Sequence, residues 1–519
     1  LNNIHNLSVT AGFSFLETEE NNLSGSARGA ATDHIYTLNA SAIPVGVSSA
    51  QAFYRYMGYF SRFDYNYKNK YLATLNARYD GASNLGSSHK WGFFPGISGG
   101  WNLHSEDFWE FIKPVVSKLK LRASYGVNGN TNAIGPYQSQ GSYSVGQKYN
   151  GIGAVVNTVL ENPDLKWETA TTFNIGMDLG LIGNKINFIF DIYRKVTDNL
   201  LSGRTLPHET GFSNIITNLG SIENKGLDLE VNFKPLSNNS LFKWDISLNG
   251  SYVEHKILKL PPNGIENNRI GGIYIWDDEL KDYAWKGGLQ EGGKMGELYA
   301  YRPIGLFHSD EDAQNSKPDI LIEGDDKITK YGGDTKWDDR DGNGIIDQKD
   351  RVYAGSIYPK WTGGATNTFS YKNFYFTCRV DFALGHTIYN YMRATTTGQF
   401  AGDLGLSIDA ARSWLKPGDE EYTDIPRLYY GDWQANLNRG STIMHEKGDY
   451  LAIRELTLSY QISSQLLQKI KISNLRFNLT GQNLHYFTNY KGINPEFGGT
   501  DNGSYPISAS YILGASITF

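Results

Sequence analysis

The stretch Leu227-Asp228-Leu229-Glu230-Val231-Asn232-Phe233 alternates apolar and polar residues without a break. Successive side chains of a strand point to opposite faces, so one face here is wholly apolar and the other carries Asp228, Glu230 and Asn232. The same alternation recurs at Ile246/Leu248/Tyr252, Leu121/Ala123/Tyr125/Val127, Phe173/Ile175/Met177/Leu179/Leu181, Phe374/Phe376/Cys378/Val380/Phe382 and Leu475/Phe477/Leu479. Opposite those apolar faces stand Arg379 and Asp381, or Arg476, Asn478, Thr480 and Gln482. Strands of a soluble sandwich average about 5–6 residues. These alternating stretches run to about 9–12, the length that crosses a bilayer when tilted.

Roughly a dozen to fifteen such segments are present, several as hairpins with short polar turns: 173–182 with 185–194 across Gly183-Asn184, and 364–371 with 374–382 across Lys372-Asn373. Other joins are long and irregular, at 129–165, 259–300, 308–352 and 385–448. Short turns on one side and long loops on the other are the pattern of a transmembrane antiparallel β-barrel, and structureless joins of that length are unusual in a compact soluble domain. The expected fold class is therefore all-β, with the whole chain, 1–519, in one barrel portion. Only 105–118 and 404–415 read as short helices. Aromatic residues gather near strand ends (Tyr54, Tyr56, Tyr59, Phe60; Trp91, Phe93, Phe94; Trp101; Tyr486, Phe487, Tyr490). They read as an interfacial girdle or as ordinary strand composition.

Composition agrees. In 519 residues there are Gly 57, Tyr 34, Phe 25 and Trp 11 but only Met 5 and Pro 16, a balance that favours strands and turns over helices. No apolar run approaches the ~20 residues of a spanning helix, which excludes a helical membrane protein but not a barrel, whose strands are only half apolar. With 48 basic against 54 acidic side chains and a net charge of -6, the chain has no electrostatic footprint for nucleic acid. The single cysteine, Cys378, excludes an intrachain disulfide. The opening Leu1-Asn2-Asn3 has neither initiator Met nor signal-peptide core, so the chain reads as a processed product or a piece of something longer.

The sharpest local motif is Asp339-Arg340-Asp341-Gly342-Asn343-Gly344-Ile345-Ile346-Asp347-Gln348-Lys349-Asp350. It sets oxygen ligands Asp339, Asp341, Asn343, Asp347 and Asp350 at loop positions 1, 3, 5, 9 and 12, glycine at 6 and the Ile345 carbonyl at 7. Calcium takes six to eight hard oxygens around a sharp turn, which this spacing supplies. The expected ion is Ca2+ in a structural role, pinning a long external loop. Asp350 replaces the usual bidentate Glu, and an acidic surface turn is the alternative. No hydrolase arrangement emerges: the histidines lack metal-ligand spacing, and the paired acids Asp277/Asp278 and Glu420/Glu421 read as solvated loop charge. In 273–307, Tyr274, Trp276, Tyr283, Trp285, Tyr299, Tyr301 and Phe307 are interspersed with carboxylates. Such rings grip glycans or peptides, or pack against their neighbours, and none is named as a substrate residue.

The chain ends inside a strand, with Tyr511, Leu513, Ala515, Ile517 and Phe519 on one face. Its last six residues, Gly514-Ala515-Ser516-Ile517-Thr518-Phe519, resemble the signal read by the outer-membrane assembly machinery. Further segments carry a wider resemblance: Asn76-Ala77-Arg78-Tyr79-Asp80-Gly81-Ala82-Ser83, Trp91-Gly92-Phe93-Phe94-Pro95, Asn162-Pro163-Asp164-Leu165-Lys166-Trp167-Glu168, Gly220-Ser221-Ile222-Glu223-Asn224-Lys225-Gly226, Asp449-Tyr450-Leu451-Ala452-Ile453-Arg454-Glu455-Leu456 and Gly481-Gln482-Asn483-Leu484. In their order they resemble the SusC/RagA-type TonB-dependent transporters of Bacteroidetes outer membranes. The resemblance implies the C-terminal portion of a barrel of 22 strands, about 14 of them here, with the remaining strands and the plug supplied elsewhere, since open sheet edges are not tolerated in lipid. It further implies a multi-pass outer-membrane protein rather than an enzyme. Large nutrients, oligosaccharide or peptide, would be imported with a SusD-like lipoprotein, and TonB would act through the plug. Two other readings stay open, a SusC-like barrel serving as scaffold in a larger complex and a secreted β-rich adhesin.

Overall fold

The computed structural model of the chain describes residues 4–237, 240–316, 319, 328–399, 402, 404–463, 467 and 472–519. Parts of two expected connections, within 308–352 and 385–448, and the opening Leu1-Asn2-Asn3 lie outside these residues. Fourteen strands form one sheet whose order follows the sequence. They are β1 His5–Ala30, β2 Ser41–Tyr67, β3 Tyr71–Ala82, β4 Trp91–Asn102, β5 Val116–Asn130, β6 Glu168–Leu181, β7 Ile186–Thr205, β8 Asn214–Phe233, β9 Phe242–Lys259, β10 Trp361–Tyr371, β11 Phe374–Leu384, β12 Tyr450–Gln461, β13 Asn474–Thr488 and β14 Ser510–Thr518. The short turns are built as the residues require. Lys68 and Asn69, both at positive φ, join β2 to β3, and Lys372 at φ 51° lets Tyr371 pair with Phe374.

The chain divides into two compact units, the first comprising 1–106, 121–175 and 194–223 and the second 107–120, 176–193 and 224–519. In the first unit, register aligns Phe13 with Tyr59, Tyr59 with Tyr79 and Tyr79 with Phe93 across four strands. In the second it aligns Trp244, Phe369, Phe376, Leu458, Leu479 and Leu513 across six. These rows decide the architecture. Phe13, Tyr59, Tyr79 and Phe93 are 56%, 51%, 47% and 61% exposed, and Leu458, Leu479 and Leu513 are 47%, 53% and 81% exposed. Among the described residues no second layer covers them. Contiguous apolar faces of this extent are rare on water-soluble monomers and carry about 25 cal/mol per Å² of surface withheld from an apolar medium, so this face is matched to hydrocarbon.

The opposite face is polar and laced with hydrogen bonds. Arg78 bridges both oxygens of Asp80 at 3.0 Å, Ser251 donates to Asp228 at 2.5 Å, and the Thr457 and Thr480 hydroxyls meet at 2.9 Å. The alternation read from 227–233 is thus inverted relative to a globular sheet, with its apolar side outward.

Buried apolar clusters are small and lie at strand ends and among connections. The largest joins Ala82, Leu85, Phe94, Ile134, Leu165 and Trp167. The segment Asn162–Glu168 is built for it. Leu165 is fully buried, Trp167 meets Phe94 edge-on at 5.2 Å, Asn162 donates to the Ile216 carbonyl at 2.7 Å, and Glu168 accepts from Asn130 at 2.8 Å and from the Leu201 amide at 3.0 Å. Gly86 is required there, because a Cβ would lie 2.1 Å from the Pro163 carbonyl oxygen.

Three expectations need correction. The helix expected at 105–118 is instead two 3-10 turns, Leu103–Ser105 and Asp107–Trp109, followed by β5 from Val116; Pro114 has no N–H to continue a helix. The helix expected at 404–415 shrinks to a 3-10 turn, Ile408–Arg412, too short to offset helix nucleation. The aromatic girdle divides by strand parity where its residues lie in strands. Tyr59, Trp91, Phe93, Trp101 and Phe487 are exposed on the apolar side, whereas Phe94 is buried and Tyr56 packs on its cluster; Tyr490, beyond the end of β13, is buried.

Candidate metal centre and the loops around it

The acidic loop folds back on itself through its own oxygens. Gly344, at φ 85°, turns the chain where only glycine is unstrained. The Gly344 amide donates to Asp339 Oδ2 at 3.0 Å, the Asn343 amide to Asp341 Oδ1 at 2.9 Å and the Ile345 amide to Asn343 Oδ1 at 2.7 Å. Asp350 is fully buried and accepts from the Arg340 amide at 2.7 Å and the Asp347 amide at 2.8 Å. The result brings carboxylate oxygens of Asp339, Asp341 and Asp350 within 4.8 Å of one another. Burial pushes the Asp350 carboxyl up to about 6, against its two backbone donors, with Asp341 and Asp339 adding like-charge repulsion. Three acids converging on one point, one of them buried, form a donor set suited to a hard cation.

Of the six residues expected to ligate, Asp339, Asp341 and Asp350 are gathered into this group. Asp347 is not part of it: its Oδ1 caps the 3-10 turn Gln348–Asp350 by accepting from the Lys349 amide at 2.7 Å. Asn343 also donates its side-chain amide to Asp341 Oδ2 at 2.9 Å. Ile345 occupies the position next to the Gly344 turn.

The site has a second neighbour that the sequence did not reveal. Residues 259–300 are not structureless: Ile273–Asp277 and Asp282–Lys286 pair as a hairpin. The Tyr283 hydroxyl of this hairpin donates to Asp341 Oδ2 at 2.6 Å, which pushes the phenol up to about 12. Arg340 pairs with Asp278 on the hairpin. Tyr274 lies 5.5 Å from Tyr283 and 5.3 Å from Trp285, so the rings pack on each other. Asp277 is occupied by Lys286 and the Glu279 amide, not by Asp278.

Further along, the connections 308–352 and 385–448 are joined by a buried ion triad. Asp319 meets Lys330 at 3.2 Å and Arg439 at 2.5 Å, and the guanidinium of Arg439 lies 4.6 Å from the ring of Tyr301. Removing one partner of such a buried group costs about 3–5 kcal/mol. No sequence spacing links these three residues. Glu420 is likewise bonded to His308 and accepts from Trp414 at 3.0 Å, so it does not pair with Glu421 as an acid–base couple.

A sheet with an outward apolar face, a polar opposite face, tight turns and long opposing loops defines the wall of an outer-membrane β-barrel. The chain belongs to the TonB-dependent receptor-like β-barrel family, whose family model matches residues 2–484. TonB-dependent receptor P39 of Formosa agariphila is 32% identical over 501 residues, covering 89% of this chain and 46% of that protein. TonB-dependent receptor SusC of Bacteroides thetaiotaomicron is 29% identical over 483 residues, covering 89% and 44%. Among solved structures, the RagAB peptide transporter matches with a TM-score of 0.81 at 23% identity, covering 100% of this chain and 54% of that one, a likeness of fold. The chain thus spans about half the length of the curated relatives it matches. These relatives are receptors and transporters of the outer membrane, not enzymes.

Proposed function

We propose that this chain is the C-terminal barrel portion of a SusC/RagA-type importer that takes up a large nutrient, an oligosaccharide or a peptide. In this reading TonB drives transport through a plug outside these residues, and a SusD-like lipoprotein caps the long loops. The observation that carries it is the pair of outward apolar rows, Phe13/Tyr59/Tyr79/Phe93 and Leu458/Leu479/Leu513, each backed by a hydrogen-bonded polar face. A polar wall of this kind suits a wide aqueous interior. A peptide transporter is among the solved structures that share this fold, and the SusC likeness leaves glycans open.

Calcium at Asp339, Asp341 and Asp350 is part of the same proposal, with Asn343, Asp347 and the Ile345 carbonyl completing the shell directly or through water. Its role is to neutralise three converging carboxylates and to hold the loop against the Ile273–Lys286 hairpin. The test of the transport reading is uptake of labelled peptide or oligosaccharide by cells carrying the full-length protein, with and without TonB. Uptake that persists without TonB, or no uptake of either class, would overturn it.

A further inference from the structure

Two joins at the short-turn end of the sheet present exposed apolar side chains. With the strands in sequence order, β4–β5 (103–115) and β6–β7 (182–185) close at the same end, the end that faces the periplasm in outer-membrane barrels. Residues 107–120 and 176–193 both lie within the second unit. Past the 3-10 turn Asp107–Trp109 the chain stays tightly wound: the Lys113 amide donates to the Trp109 carbonyl at 3.0 Å and the Val116 amide to the Ile112 carbonyl at 2.9 Å. Phe108, Phe111 and Val115 are spaced three and four apart, so they share a face, and they are 62%, 86% and 65% exposed. Trp109 is buried and its indole donates to the Val116 carbonyl at 2.9 Å, which pins the turn to the start of β5. Glu110 and Lys113 pair with each other at 2.8 Å and fall outside the apolar face.

The β6–β7 turn adds a fourth apolar side chain. The Ile182 amide donates to the Val115 carbonyl at 2.9 Å and the Asn184 amide to Ser117 Oγ at 2.9 Å, so this turn is held against the same segment. Ile182 has φ 52° and is 55% exposed. A β-branched side chain is crowded in that region, where Gly or Asn is usual. Strain of this kind persists where a residue serves contacts beyond its own fold. Val115 and Leu119 keep the odd-numbered phase of the outward stripe Leu121/Ala123/Tyr125 in the same strand. The patch thus continues the hydrocarbon-facing surface past the strand end, which favours lipid over a protein partner as its cover. An apolar face of rings and branched side chains, with a charged pair turned away from it, is the make-up of segments that lie at the acyl–headgroup boundary. We propose that 107–115 and Ile182 form a membrane-surface anchor, seating Phe108, Phe111, Val115 and Ile182 in the leaflet at the periplasmic end of the barrel. The inference rests on the barrel's place in the outer membrane and is independent of import and of its cargo.

Fluorescence quenching on the full-length protein tests the anchor. In a Cys378→Ala background, a nitrobenzoxadiazole probe is attached at Phe108→Cys, Phe111→Cys or Ile182→Cys and, as controls, at Glu110→Cys or Lys113→Cys. The protein is placed in nanodiscs of phosphatidylethanolamine and phosphatidylglycerol, where both ends of the barrel meet buffer. Probes at 108, 111 and 182 are expected to be quenched severalfold more by a nitroxide-bearing lipid than by iodide, with the order reversed at 110 and 113. All five positions are exposed or half-exposed, so the labelled proteins should keep the unlabelled melting temperature, and the two joins are probed separately so that either one decides. Iodide quenching at 111 and 182 as strong as at 110 would place the patch in water, and protection from both quenchers would place it under protein; either result overturns the anchor.

Discussion

Placing arginine at Leu479 sets lipid against water at one residue. Leu479 stands in register with Leu458 and Leu513 and is 53% exposed. Take Asn474, the first residue of β13, as the edge of the apolar band. Five residues at about 3.3 Å each and about 45° tilt place Leu479 roughly 12 Å deep, near the middle of a band about 25 Å tall. An arginine at that depth on a lipid-facing strand costs about 2–4 kcal/mol, or roughly 30- to 700-fold in the folding equilibrium. Asn478, one residue away on the polar face, is the control, and Asn478→Arg is expected to cost no more than about 0.5 kcal/mol, as at a solvated surface. The assay is urea unfolding of the full-length protein in phospholipid vesicles, followed by tryptophan fluorescence. Equal costs at the two positions, or a cost below about 0.5 kcal/mol at Leu479, would refute the reasoning.

Leu165→Ala, in the fully buried centre of the Phe94–Trp167 cluster, is expected to destabilise by about 3 kcal/mol, visible as a lowered unfolding midpoint; no change would mean that the segment Asn162–Glu168 is not a packing element. Removing calcium with a chelator is expected to open 308–352 to limited proteolysis, and Asp350→Asn to do so even with calcium present; a cleavage pattern indifferent to both would eliminate the ion. The His308–Glu420 contact is expected to depend on pH at both ends. Glu420 raises the His308 value, so the contribution is full below about 6.5 and fades as pH rises through that raised value; His308 and Trp414 hold Glu420 at about 2, so it also fades as pH falls from about 4.5 towards 2. Hydrogen exchange of the amides near Gly418 reports it, and His308→Gln should flatten the profile.

Strand content was legible wherever one face was apolar, as at 227–233 and 374–382, because a period of two leaves a visible stripe. It was not legible through 17–24, where Glu17, Glu19, Glu20, Asn21 and Asn22 leave no stripe although β1 and β2 continue there for 26 and 27 residues in all. The Ile273–Lys286 hairpin was read as loop because its rings pack on each other and leave no apolar stripe. The spacing of Asp339, Asp341 and Asp350 made the acidic cluster legible, since all three lie in one twelve-residue loop. The hydroxyl of Tyr283 and the triad Asp319–Lys330–Arg439 come from distant segments, and only the folded loops bring them together.

The account stands on hydrocarbon meeting the outward rows. Nitroxide labels placed one at a time along 475–482 and 511–517 of the full-length protein in bilayers, read for collision with oxygen and with a water-soluble nickel chelate, measure this directly. Positions 477, 479, 511 and 513 should favour oxygen, with 478, 480, 512 and 514 out of phase. Protection of the first set from both reagents would place those side chains in a dry protein core and contradict the account.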